Sequence, residues 1–132
     1  ILNRPLGQAI GRQYTWHIRK PLDLEAMRLA SIHIIGPHDF KAFEGTGSPR
    51  SHTTRNVIRA EWYQRAPGRL EFEIEADGFL RYMVRNLVGT FVDVGLGKKN
   101  VADVLTILQS RDRGQASATA PPHGLCLLSV SY

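Results

Sequence analysis

The chain has 132 residues, a formal charge of +5 and a pI near 9.8. That length suits one domain with its own core and is too short for two ordinary ones, and no apolar run approaches the roughly eighteen residues of a membrane-spanning helix. The single cysteine, Cys126, cannot close an internal disulfide, and the five histidines never fall at HxxH or HExxH spacing, so neither a disulfide scaffold nor a metal site is expected.

In chain order, "RQYTWHI" (residues 12–18) is rich in aromatic and β-branched residues and predicts a strand. Pro21 ends it and Asp23 can cap a helix. Leu24, Met27, Ala30, Ile34 and Ile35 recur on that helix at its own period, and Gly36-Pro37 stops it. "HDFKAF" predicts one helical turn with Phe40 and Phe43 pointing inward. "EGTGSPRSHTTR" (residues 44–55) is a long polar loop, "NVIRAEWYQ" a second strand and "APGR" a turn. "LEFEIEA" alternates strictly, with Leu70, Phe72, Ile74 and Ala76 on one face and three glutamates on the other, the pattern of a half-buried antiparallel strand. A helix from about Phe79 to Val94 follows, then a short helix capped by Asn100, the loop "SRDRGQASATAPPHG", and a closing strand "LCLLSVSY". The expected architecture is α+β: a mainly antiparallel four-stranded sheet, plait-like, with helices packed on one face.

Few residues carry chemistry by themselves. "GLGKKN" lacks the P-loop pattern, "GTGSPR" is not a hydrolase elbow, and Cys126 lies between leucines as a small core residue would. The basic balance favours a polyanionic partner through phosphate contacts, although it serves solubility equally well. The unusual residue is Arg85, within "DGFLRYMVRNLVG". On a helical wheel Phe79, Leu80, Met83, Val84, Leu87, Val88, Phe91 and Val94 fill one half, and Arg85 lies opposite, beside Arg81, Tyr82, Gly89 and Val92. A solvated outer face would account for it. Gly89 argues otherwise, since a glycine costs about 1 kcal/mol inside a helix and serves close approach. A guanidinium fixed on a partly covered face would seek a carboxylate or phosphate.

"PLDLEAM", "GPHDFKAF", "TTRNVIRAEW", "GFLRYMVRNLVGTFVDVGLGK" and "RDRGQASATAPPHGLCLLSVSY" resemble, in the same order, the carboxyl-terminal half of the TruA family of tRNA pseudouridine synthases. The resemblance covers residues 1–132 as one unit, the second half of a catalytic domain. It implies isomerisation of uridines in the tRNA anticodon arm, without metal or organic cofactor, by a cytoplasmic homodimer. It also implies a nucleophilic aspartate in a GRTDxGVHA motif, which this sequence does not contain, so the chain alone is expected to be inactive. The opening "ILNRPLG" likewise reads as the continuation of a longer polypeptide. Arg85 matches the family arginine that pairs with that aspartate, which would make Gly89 clearance for the opposing half. Leu125 matches a leucine lining the base pocket, where a plain core role fits almost as well.

For RNA contact the resemblance points to the loop residues Gly47, Ser48, Pro49, Arg50 and Ser51. Arg4, Arg12, Lys41 and Arg55 are weaker candidates, which ordinary surface charge explains as well, and Arg55 could equally pin the loop to the core. "RQYTW" imitates a family tyrosine stretch, but its spacing does not transfer that role to Tyr14. Two other readings stand beside this one. The first is a stand-alone RNA-binding module without catalysis; the second is a different enzyme using Asp39, Asp77 or Asp93 as its carboxylate.

Overall fold

Two long strands, β4 (Thr54–Ala66) and β5 (Arg69–Ala76), form the centre of the sheet. They pair antiparallel around the turn at Gly68, with Trp62 opposite Phe72 and Ala60 opposite Ile74. The computed structural model describes residues 2–3, 17–18, 20–45, 52–66 and 68–121. Within them β3 (Gly36–Asp39) pairs antiparallel with β4, while the two-residue strands β1 (Leu2–Asn3) and β2 (His17–Ile18) extend the sheet beyond β5.

The α+β class is therefore as expected, but the four-stranded sheet is not. Only β3, β4 and β5 exceed two residues among the described strands, and all three are antiparallel. Gly36-Pro37, expected to stop a helix, instead opens β3, because helix α1 (Leu24–Ile32) has already ended. Phe40 follows, and a 3₁₀ turn at Lys41–Phe43 completes what read as one helical turn; Phe40 and Phe43 are fully buried, as predicted. The closing stretch counted as a fourth strand, residues 125–132, lies outside the described residues.

Asp23 caps α1, its Oδ1 accepting from the backbone N–H of Ala26 at 3.1 Å. Helix α2 (Met83–Gly95) starts later than the wheel implied, because Tyr82 adopts the left-handed conformation at φ 59° and ends the turn before it. Asn100 and Asp103 form a reciprocal capping box at the start of α3 (Val101–Ser110). The apolar stripe of α2 is buried as its period requires, through Met83, Leu87, Phe91 and Val94. Phe91 meets Trp62 and Phe72 edge-on, at 6.3 and 5.4 Å between centroids, tying the helix to both long strands. Helices α1 and α2 cover that face. On the opposite face Arg59, Glu61, Tyr63, Glu71, Glu73 and Glu75 alternate with the core positions. No helix among the described residues is long and apolar enough to cross a membrane.

Candidate active site on helix α2

One flank of α2, beside its apolar stripe, is covered. Asn86, Gly89, Thr90 and Asp93 recur there at three- and four-residue spacing, and the segment 116–121 lies along them. Its attachments follow in sequence. Ser117 donates from its backbone N–H to Thr90 Oγ1 at 3.2 Å and from its hydroxyl to Asp93 at 2.5 Å. The Ala118 carbonyl sits against Gly89, where a Cβ would come within 2.1 Å of its oxygen. Thr119 donates to Asn86 Oδ1 at 2.5 Å. Three of the four buried polar residues among those described (Asn86, Thr90 and Ser117) belong to this interface. Each is hydrogen-bonded, as burial demands.

Gly89 is therefore clearance for a segment of this same chain, which corrects the expectation that it makes room for an opposing half. Its close approach was legible; the identity of the neighbour was not. Asp93 is half-buried between Ser117 and Lys99, whose Nζ lies 3.6 Å away.

Arg85 closes this row. Its backbone carbonyl accepts from the N–H of Ala120 at 3.1 Å, and its Nε donates back to the Ala120 carbonyl at 2.9 Å. Its Cζ lies 4.9 Å from the centroid of the Tyr82 ring. The half-buried guanidinium is thus held by a neutral carbonyl and an aromatic face, and no carboxylate among the described residues lies within 4.0 Å of it. With Nε engaged, the side-on fork is used, and an anion would be met end-on by the two Nη atoms. The first turn of α2 carries no acidic residue, so the helix dipole adds to the same positive potential. What this arrangement can do is hold and orient one anion.

Tyr82 belongs to the same surface and was not singled out as a site residue. Its ring packs on Gly45, where a Cβ would lie 2.4 Å from Cδ2, and the Gly45 N–H donates to the Arg81 carbonyl at 2.7 Å. Arg81 also lies 4.9 Å from the ring centroid, and its hydrogen bond to the phenol, followed by the charges of Arg81 and Arg85, lowers the pKa of Tyr82. Arg113 was missed too: it donates to Asn86 Oδ1 at 3.1 Å and to Thr119 Oγ1 at 3.2 Å. The small and polar residues repeating at helical spacing along α2 were the available signal for this network.

Of the other expected site residues, Arg4, Gly47, Ser48, Pro49, Arg50, Ser51 and Leu125 lie outside the described residues, as do Arg12 and Tyr14. The flanks of the 47–51 loop are described. Gly45 docks beside Arg81 and Tyr82, and Arg55 turns back on the carbonyls of His52 and Thr54 at 3.2 and 2.8 Å, next to Gly78. Arg55 thus pins the loop's far end. Lys41 is exposed and makes its bond through the backbone, to Asp39. The carboxylates of the rival enzyme reading are all engaged locally. Asp39 accepts from Lys41 N–H and Thr53 and faces Arg111 at 3.4 Å, Asp77 accepts from the Asn56 N–H at 2.9 Å, and Asp93 is bonded as above. No group of three His, Cys, Asp or Glu able to hold a metal forms among the described residues.

Residues 30–132 match the family model described as tRNA pseudouridine synthase. The tRNA pseudouridine synthase A of Thermoanaerobacter sp. (strain X514) is 45% identical over 100% of this chain and 54% of that protein. Its namesakes from Moorella thermoacetica and Myxococcus xanthus are 42% and 38% identical, again over 100% of this chain and over 53% and 50% of theirs. The chain spans about half the length of the curated relatives it matches. With the blocks around Arg85 and residues 111–132 inside the matched region, the chain belongs to the TruA family of tRNA pseudouridine synthases.

Proposed function

We propose that residues 1–132 are the carboxyl-terminal half of a tRNA pseudouridine synthase catalytic domain, and that Arg85 holds the aspartate nucleophile supplied by the other half. The observation that carries this reading is the Arg85 guanidinium itself: fixed by neutral groups, with its Nη edge and charge unspent among the described residues. A carboxylate meeting that edge gains two charge-assisted bonds, which favour its ionised, nucleophilic form. The substrate is a uridine of the tRNA anticodon arm, bound by a cytoplasmic homodimer, with Leu125 beside the base. Arg4, Arg55 and the residues Gly47, Ser48, Pro49, Arg50 and Ser51 contact the RNA backbone. Family membership and the placing of the loop's Gly45 flank beside Arg81 and Tyr82 support that reading.

The reaction breaks the bond between N1 and the ribose C1′ and forms one between C5 and C1′. The proton leaving C5 is balanced by one taken up at N1, so the product is an isomer. Atoms and electrons balance without a redox agent.

The test is tritium release from tRNA carrying C5-labelled uridine. The full-length protein releases tritium, and residues 1–132 alone do not. Retention of tRNA by the full-length protein without release would leave a binding module. Release by residues 1–132 alone, lost on changing Asp39, Asp77 or Asp93, would move the chemistry into this half.

A further inference from the structure

Arg85 is held by a backbone carbonyl, and a carbonyl can aim a side chain only if its own segment cannot shift. The Ala120 carbonyl belongs to an extended stretch with no helix or strand of its own. Its own N–H holds it to the Arg85 carbonyl at 3.1 Å, and the preceding residue adds the side-chain tie nearest to it. Thr119 donates to Asn86 Oδ1 at 2.5 Å and accepts from Arg113 at 3.2 Å, while Arg113 bonds the same Asn86 oxygen at 3.1 Å. The three side chains form a closed triangle. Asn86 anchors it to the 3₁₀ turn, its Nδ2 donating to the Phe43 carbonyl at 2.7 Å.

We propose that Thr119 is a positioning residue for Arg85, acting through the Ala120 carbonyl that receives the arginine's Nε. The inference rests on the proposed role of Arg85. Three observations support it. Asn86 follows Arg85 directly on α2, so the bond from Thr119 and the bond to Ala120 tie adjacent residues of the segment to adjacent residues of the helix. The Ala118 carbonyl is lodged against Gly89, which stops the segment sliding along the helix. Thr119 is exposed as a residue, yet its hydroxyl is spent on a fully buried asparagine. A threonine kept only to solvate a loop would not make that bond.

The Thr119→Val variant of the full-length enzyme keeps the side chain's shape and removes the hydroxyl. Asn86 keeps its bond from Arg113, so the fold survives while the carbonyl loosens. We expect kcat to fall about tenfold or more, since small misplacements near a reacting centre are costly. KM for tRNA should stay within about twofold, the pattern of an interaction made in the transition state. Thr119→Ser, which keeps the hydroxyl, should restore kcat. Asp23→Ala removes the side-chain cap of α1, near the far end of α2 where the Asp23 backbone N–H meets the Gly95 carbonyl, and should lower the melting temperature while leaving kcat intact. Wild-type kcat in Thr119→Val, no rescue by serine, or a rise in KM matching the fall in kcat would each overturn the proposal. Arg85→Ala in the same assay separates the two readings. If it retains turnover, the role of Arg85 itself fails; if it is inactive while Thr119→Val is normal, only the positioning by Thr119 fails.

Discussion

Arg59 and Arg85 are both half-buried arginines, and their surroundings differ in kind. Arg59 lies on the open face of the sheet and faces Glu73, Glu61 and Glu75 at 3.2, 3.7 and 3.9 Å, with the Tyr63 hydroxyl at 3.2 Å. Its pKa is raised, first by the hydrogen bond to Glu73. Arg85 has a carbonyl and an aromatic ring. The difference separates a charge neutralised inside its own domain from a charge held in position by groups that do not neutralise it. Neutral holders fix geometry without neutralising the charge, whereas a ring of glutamates does both during folding.

The comparison breaks first at turnover. Arg85→Ala in the full-length enzyme should lower kcat on the order of 10²- to 10³-fold, the loss seen when one preorganised charge-stabilising group is removed. Affinity for tRNA should change little. Arg85→Lys should keep most of the defect, because an ammonium lacks the planar fork. Equal losses in kcat and affinity would make Arg85 a phosphate contact.

Next in size is Gly89→Ala, which drives a Cβ into the Ala118 carbonyl and should destabilise the enzyme by about 2–3 kcal/mol, read from denaturant unfolding. An unchanged midpoint would mean that the 116–121 segment moves freely from the helix. Arg59→Ala should cost less, about 0.5–1 kcal/mol and falling with added salt, with kcat unaltered. A loss of turnover there would erase the distinction between the two arginines.

The smallest effect is spectroscopic. The two arginine sites displace their tyrosines from 10.0 in opposite directions: Tyr82 is lowered, chiefly by its bond from Arg81, and Tyr63 is raised, chiefly by its bond to Glu61. A phenolate is favoured beside Arg81 and Arg85, and a phenol beside Glu61. The Tyr63 bond therefore contributes stability that is present below the ordinary tyrosine value and lost as pH rises through the raised one. Tyr82 acts in reverse: its contribution is complete above the ordinary value and is lost as pH falls through the lowered one. In an ultraviolet titration Tyr82→Phe should remove an early-ionising component and Tyr63→Phe a late one. The reverse order would contradict the geometry of both sites.

How much could be read beforehand follows from the range of the interactions. Asp23 and Asn100 cap their helices because a cap is a contact across three residues. The alternation of residues 70–76 and the centre of the α2 stripe (Met83, Leu87, Phe91 and Val94) gave the core-facing positions because each has a fixed period, whereas Phe79 of that stripe is exposed and Val92, opposite it, is buried. The late start of α2 was not legible, since the left-handed turn at Tyr82 depends on a ring seated against Gly45, far away in sequence. For the same reason Gly36-Pro37 read as a helix stop. Pairing with β4 makes it a strand.

The sequence alone therefore determined the periodic elements, their caps, the family and the singular position of Arg85, all matters of local spacing or ordered motifs. Tertiary structure decided what Arg85 touches. Its Nε finds a carbonyl 35 residues away, brought there because Gly89, Asn86, Thr90 and Asp93 offer one continuous surface to a single extended segment. Backbone groups carry no residue-specific signal, so a site completed by a carbonyl is visible only once the chain has folded around it.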